Sequence, residues 1–114
     1  MPVFITQGRY TQPAIKGMVS NPEDRAEAVR GLMERNGGRL LSYYVTFGEY
    51  DFLVISEAPN ESSILSTLAI VGAGGGVTDL KTTLAVTSAQ AKDAFGMAGT
   101  IATQFRSAGE SSST

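Results

Sequence analysis

The sequence predicts an α+β domain: a four-stranded antiparallel sheet with its two main helices on one face. Three observations predict it. Stretches 3–10, 39–47, 50–57 and 77–86 carry the β-branched and aromatic residues that favour strands. Helix signals fall between the first and second of these and between the third and fourth. Strands two and three are separated by only Gly48-Glu49, which fits a two-residue type II′ hairpin. The order β-α-β-β-α-β, with crossovers of the usual hand, gives a ferredoxin-like sandwich, here with an extra C-terminal helix.

Each element has its own justification. "TQPAIKGM" suggests one helical turn with Thr11 as its cap. The first clear helix is expected from "SNPEDR", with Asn21 as cap, Pro22 at the first position and Glu23 and Asp24 against the positive helix end. Its apolar stripe is Ala26, Val29, Leu32 and Met33, and Gly37 is a left-handed stop. Asn60 caps a second helix whose apolar side carries Ile64, Leu65, Leu68 and Val71. In the last strand Leu80, Leu84 and Val86 alternate with Asp79, Lys81, Thr83 and Ala85, the mark of one buried face. A third helix, 87–105, has Phe95, Ala98, Ala102 and Phe105 in a narrow stripe, weakened by Gly96 and Gly99. The chain reads as one domain, 1–106, followed by a disordered tail, 107–114.

Composition excludes more than it selects. With 114 residues, a formal charge of -2 and no basic patch, nothing favours nucleic acid or an anionic membrane. The absence of cysteine and histidine removes thiolate chemistry, the commonest metal ligand and the commonest general base. No metal or cofactor is expected. No signal peptide or run of ~20 apolar residues is present, so the expectation is a soluble, cytoplasmic chain.

The hairpin carries the functional argument. Its two-residue loop would set Thr46 opposite Asp51, Val45 opposite Phe52 and Tyr44 opposite Leu53. One face is then Leu41, Tyr43, Val45, Phe47, Tyr50, Phe52, Val54 and Ser56, suited to lie beneath the helices. The other holds Asp51 and Thr46 yet also Leu40, Tyr44, Leu53 and Ile55, which a lone sheet would leave in water. At ~25 cal/mol per Å2, covering them is worth several kcal/mol before association costs. A second copy is the expected cover, making a homodimer or higher oligomer. Asp51, with hydroxyls expected from Tyr44 and Thr46, either fastens the hairpin or subunit contact, or receives a ligand ammonium or acts as a base.

Other features are weaker. Tyr10, Tyr43, Tyr44 and Tyr50 could line an aromatic pocket, but strand tyrosines are more often core or interface. Arg9, Lys16, Arg39 and Lys81 could bind an anion, with solvated ion pairs as the default. "GAGGG" follows a helix and precedes a strand, the wrong order for a phosphate loop, and is expected to be a flexible connector.

"FGEYDFLVI" resembles the signature of the GYD domain family, spaced here as Gly48, Tyr50 and Asp51. "MPVFITQGRYTQPAIKGM", "SNPEDR" and "TTLAVTS" are similar to further family segments in order, covering 2–93. The resemblance implies a ferredoxin-like, dimeric α/β-barrel fold and brings no established general activity. The triple glycine at 74–76 departs from the pattern as a looser link. The hairpin and Gly76-Val77 are also distantly similar to the effector-binding domain of leucine-responsive feast/famine regulators, which binds amino acids between subunits. Here no helix-turn-helix precedes it. The expected function is therefore a homo-oligomeric small-molecule-binding or structural module, with Asp51, Tyr44, Thr46 and Lys81 as ligand-binding candidates. The alternative is a cofactor-free monooxygenase- or isomerase-like enzyme, the kind that dimeric barrels also host.

Overall fold

The computed structural model describes residues 1–110. Its strands are β1 (Val3–Tyr10), β2 (Arg39–Val45), β3 (Phe52–Glu57) and β4 (Val77–Ala85). Its helices are α1 (Gln12–Ser20), α2 (Arg25–Arg35), α3 (Glu61–Ala73) and α4 (Ser88–Ile101), ending in a 3-10 turn at Ala102–Gln104. The antiparallel sheet has the order β2-β3-β1-β4, the ferredoxin-like arrangement expected. Of the expected tail, Ser107 to Glu110 close a turn through a 3.1 Å bond, and 111–114 lie outside the described residues.

The ladders define the two faces. Toward the helices, Leu40, Ser56, Phe4 and Leu84 form one row, and Tyr43, Val54, Thr6 and Thr82 the next. Met33 of α2 packs with Leu40, Phe52 and Val54, while Phe4, Ala58 and Ile64 form a second cluster below α3. Gly8 leaves room for this packing: a Cβ there would meet the Phe52 ring at 2.7 Å and Leu80 at 3.0 Å. On the opposite face none of the described helices covers Val3, Ile5, Leu53 and Ile55, which stay half-buried.

Several local expectations shift. α1 is a nine-residue helix rather than one turn, although Thr11 does cap it by accepting from Ala14 N. The next helix starts at Arg25, not Pro22, because Asp24 accepts from Ala26 N at 3.0 Å while Asn21 closes α1. A bulge between Leu40 and Ser42 turns Leu40 into the core and leaves Leu41 exposed, the reverse of a regular alternation. The hairpin keeps its register, Val45 opposite Phe52 and Tyr44 opposite Leu53, but its strands part earlier than expected. A 2.8 Å bond from Thr46 N to Asp51 O closes a wider loop in which Phe47 is fully exposed. In α3, Ile64 and Thr67 are buried, whereas Leu65 faces outward. Thr67 accepts from Asn36 Nδ2 at 3.0 Å, so a hydroxyl takes a core position through a bond from the C-cap of α2 to the middle of α3. The glycine link is tied rather than loose: Thr11 donates to Gly75 O at 2.9 Å and to Gly76 O at 3.0 Å.

Candidate functional site

The hairpin of Gly48, Tyr50 and Asp51 folds against the end of β1 through four contacts. Asp51 N donates to Gly8 O at 2.8 Å, extending the β1–β3 ladder one step past Phe52. Beyond that step β3 offers no further backbone acceptor, and the Asp51 carboxylate takes its place: Oδ2 accepts from Tyr10 N at 2.9 Å. Arg9 donates through Nε to Glu49 O at 2.7 Å, and its guanidinium lies 5.4 Å from the Tyr50 ring centre. The same guanidinium reaches Asp79 at 3.0 Å, and this bond raises the Arg9 pKa. Asp79 stands at φ 54, in a bulge of β4 that interrupts the expected alternation. Short polar side chains tolerate that left-handed conformation best.

The candidate residues do not form one cluster. Thr46 donates its hydroxyl to Tyr50 O at 2.7 Å, which steadies the loop and leaves the Asp51 carboxylate to Tyr10. Tyr44 is exposed and gives Asp51 no hydrogen bond. Lys81 is across the sheet: Tyr44, Leu53, Gln7 and Lys81 occupy one row over the four strands of the open face. At ~4.8 Å per strand, Tyr44 and Lys81 are roughly 14 Å apart along it. The row behind is Ser42, Ile55, Ile5 and Thr83, and the next pairs Arg39 with Glu57, joined by a 2.7 Å salt bridge. An apolar centre with polar ends is the chemistry of this face.

The tyrosines also separate. Tyr10 and Tyr43 share a 2.5 Å bond between hydroxyls and stack around Phe52, at ring distances of 5.2 and 6.1 Å. Burial first, and then the Tyr10 hydroxyl, push the Tyr43 pKa above the ordinary tyrosine range. The pair backs a cleft of about 320 Å3 on the helix side, with Met18, Asn21, Glu23 and Arg25 along its rim. Sequence reasoning missed this cleft because its walls come from α1, the 21–25 link and three strands. Among the described residues, no group of three acidic side chains could hold a metal ion.

A four-stranded antiparallel sheet in the order β2-β3-β1-β4 with its helices on one face defines the ferredoxin-like class. The chain resembles a transcriptional regulator of Neisseria meningitidis in complex with L-Met, with TM-score 0.54 and 17% identity, over 75% of this chain and 50% of that one. It also resembles MtbAldR, with TM-score 0.52 and 11% identity, over 75% of this chain and 52% of that one. The chain spans about half the length of each of these two proteins, and the likeness is one of fold. The GYD domain model matches residues 4–95, and the chain belongs to that family. It is 31% identical over 78 residues to the glutamine synthetase and cystathionine beta-lyase binding protein of Thermus thermophilus, covering 68% of this chain and 81% of that protein. No described helix is long and apolar enough to cross a membrane.

Proposed function

We propose that this chain is a self-associating small-molecule-binding module whose open sheet face packs against a second copy. One observation carries the reading: Val3, Ile5, Leu53 and Ile55 make an apolar centre with no layer over it, flanked by the polar row of Tyr44, Gln7 and Lys81. These side chains are already partly buried, so covering what remains is worth roughly 0.5–1.5 kcal/mol each at ~25 cal/mol per Å2, and pairing needs several covered together. Two facing sheets would bring two such polar rows to the margins of a shared cavity, where Lys81 suits an acidic group and Asp51 an ammonium. Light scattering after size exclusion tests the first half; a single 12 kDa species at micromolar concentration sinks it. A melting screen of amino acids and small amines on wild type and Asp51→Asn tests the second. A ligand at ~100 times its dissociation constant adds ~2.7 kcal/mol, and wild type should then melt roughly 4–8 °C higher per kcal/mol. Absence of any shift across the screen counts against ligand binding.

A second reading is favoured by the relative from Thermus thermophilus, whose name makes it a binding protein for two enzymes. The open face would then dock an enzyme surface rather than a second copy. Co-elution with purified glutamine synthetase or cystathionine beta-lyase separates the two readings.

A further inference from the structure

The C-terminal helix is formed, but none of its residues is buried among the described residues. Thr87 and Gln90 make a reciprocal capping box, so α4 has a firm start. Phe95, Met97 and Ile101 are 74, 72 and 60% exposed. The molecule measures 70 Å on its long axis against 29 and 22 Å on the others, the shape of a body with an arm. At about 100° per residue, Ala91, Ala94, Phe95, Met97, Ala98 and Ile101 fall within one arc of roughly 160°, while Lys92, Asp93 and Thr100 fall outside it. A 14-residue helix with two glycines is marginal alone in water and depends on packing of its apolar face.

The same chain also has a groove without an occupant. At the root of α4 lies a mainly apolar depression of about 450 Å3 lined by Pro2, Phe4, Leu84 and Val86, with Glu61 and Gln90 at its rim. Leu84 is the outermost member of a core-facing row, yet it is 64% exposed, although α3 touches β4. α4 starts beside this groove and then leaves the body, so its own arc is carried away from it.

We infer that α4 is an exchange arm, whose apolar arc occupies the Leu84 groove of a second copy while that copy's arm occupies this one. The area supports a second copy as the occupant. Phe95, Met97 and Ile101 of α4, with Phe105 just beyond it, are each at least 60% exposed. With ~150–250 Å2 for a buried aromatic, they offer roughly 600 Å2 per arm. Reciprocal exchange doubles that before the grooves add their share, which reaches the ~1,200–2,000 Å2 of stable dimers. The arm is independent of sheet pairing, and either can hold without the other.

The chain has no cysteine, so introduced thiols report cleanly. Leu84→Cys and Met97→Cys chains, purified separately, are mixed, equilibrated and oxidised. The expected product is a covalent heterodimer of about twice 12 kDa, absent when the Met97→Cys chain also carries Phe95→Glu and Ile101→Glu. In otherwise unaltered chains, Phe95→Glu with Ile101→Glu should raise the dissociation constant at least a hundredfold, as loss of two anchor side chains does. Joining both cysteines in one chain and recovering only an oxidised monomer would show the arm folded onto its own groove, and the inference fails. It fails equally if the glutamate variant assembles like wild type. Ile5→Lys separates the readings: assembly lost there but kept in the arm variant supports sheet pairing and removes the arm, and the opposite result does the reverse.

Discussion

Asp51 accepts the backbone N–H of Tyr10 through its side chain, at the point where β3 has run out of backbone acceptors for β1. A greasy hairpin carries an acid there because the neighbouring strand is one hydrogen bond longer than its partner. The carboxylate stands in for a missing peptide carbonyl. This contact uses Oδ2 of the carboxylate.

Asp51→Ala removes the acceptor and leaves the Tyr10 N–H unpaired, at a cost of about 1–3 kcal/mol. The melting temperature should fall by roughly 4–8 °C per kcal/mol. Asp51→Asn keeps a carbonyl acceptor and should fall by less than half as much. Equal losses in the two variants would mean that charge, not the hydrogen bond, is what the hairpin requires.

Gly8→Ala should destabilise by about 1–3 kcal/mol, as overpacking does, because the added Cβ meets the Phe52 ring at 2.7 Å. Phe52→Leu shortens that side chain and should recover part of the loss in the double variant. Denaturant melts of the four proteins in the cycle measure the coupling. Additive losses would show that Phe52 is not the obstructing group.

The fold was legible because local signals agreed with one another. The succession of strands and helices, the caps at Thr11 and Asn60, and the pairing of Val45 with Phe52 all rest on short windows of sequence. The bulges did not show. Leu40 and Leu41 are chemically identical, and only the fit against Met33 decides which turns inward. The candidate site was less legible for a related reason. Thr46 and Asp51 are sequence neighbours, but their partners are set by a loop closure and by Tyr10, 41 positions from Asp51. The Arg9–Asp79 pair spans 70 positions and needs a positive φ at Asp79, which nothing local announces.

Tyr43 should ionise after an ordinary tyrosine, since burial and the Tyr10 hydroxyl favour its neutral form. The sign follows from proton counting. Above the ordinary tyrosine pKa of ~10 the unfolded chain sheds a proton that the folded chain keeps. The Tyr43 contribution is therefore fully present below pH ~10 and declines as pH rises beyond it. Tyrosinate absorbance during alkaline titration should show a late component that coincides with unfolding and vanishes in Tyr43→Phe. A Tyr43→Phe protein with the same late component would place the shifted group elsewhere.

Ile5 and Ile55 sit directly opposite each other in the centre of the open face, with Thr83 beyond Ile5 on β4. Neither isoleucine contributes to either core cluster, so a lysine there can extend into water without emptying the fold. In a free monomer Ile5→Lys or Ile55→Lys should cost about 1 kcal/mol, the ordinary size for a point substitution, and leave the fold intact. If a second sheet covers this face, the same lysine meets its symmetry mate's apolar centre, where an unpaired charge costs several kcal/mol. Light scattering should then give a smaller species for Ile55→Lys than for wild type, with circular dichroism unchanged at 20–25 °C. Thr83→Lys, one strand toward the edge, should weaken assembly less because its charge can reach solvent. Wild-type assembly in both isoleucine variants would leave the open sheet face unpaired and remove the reason for placing a ligand cavity above it.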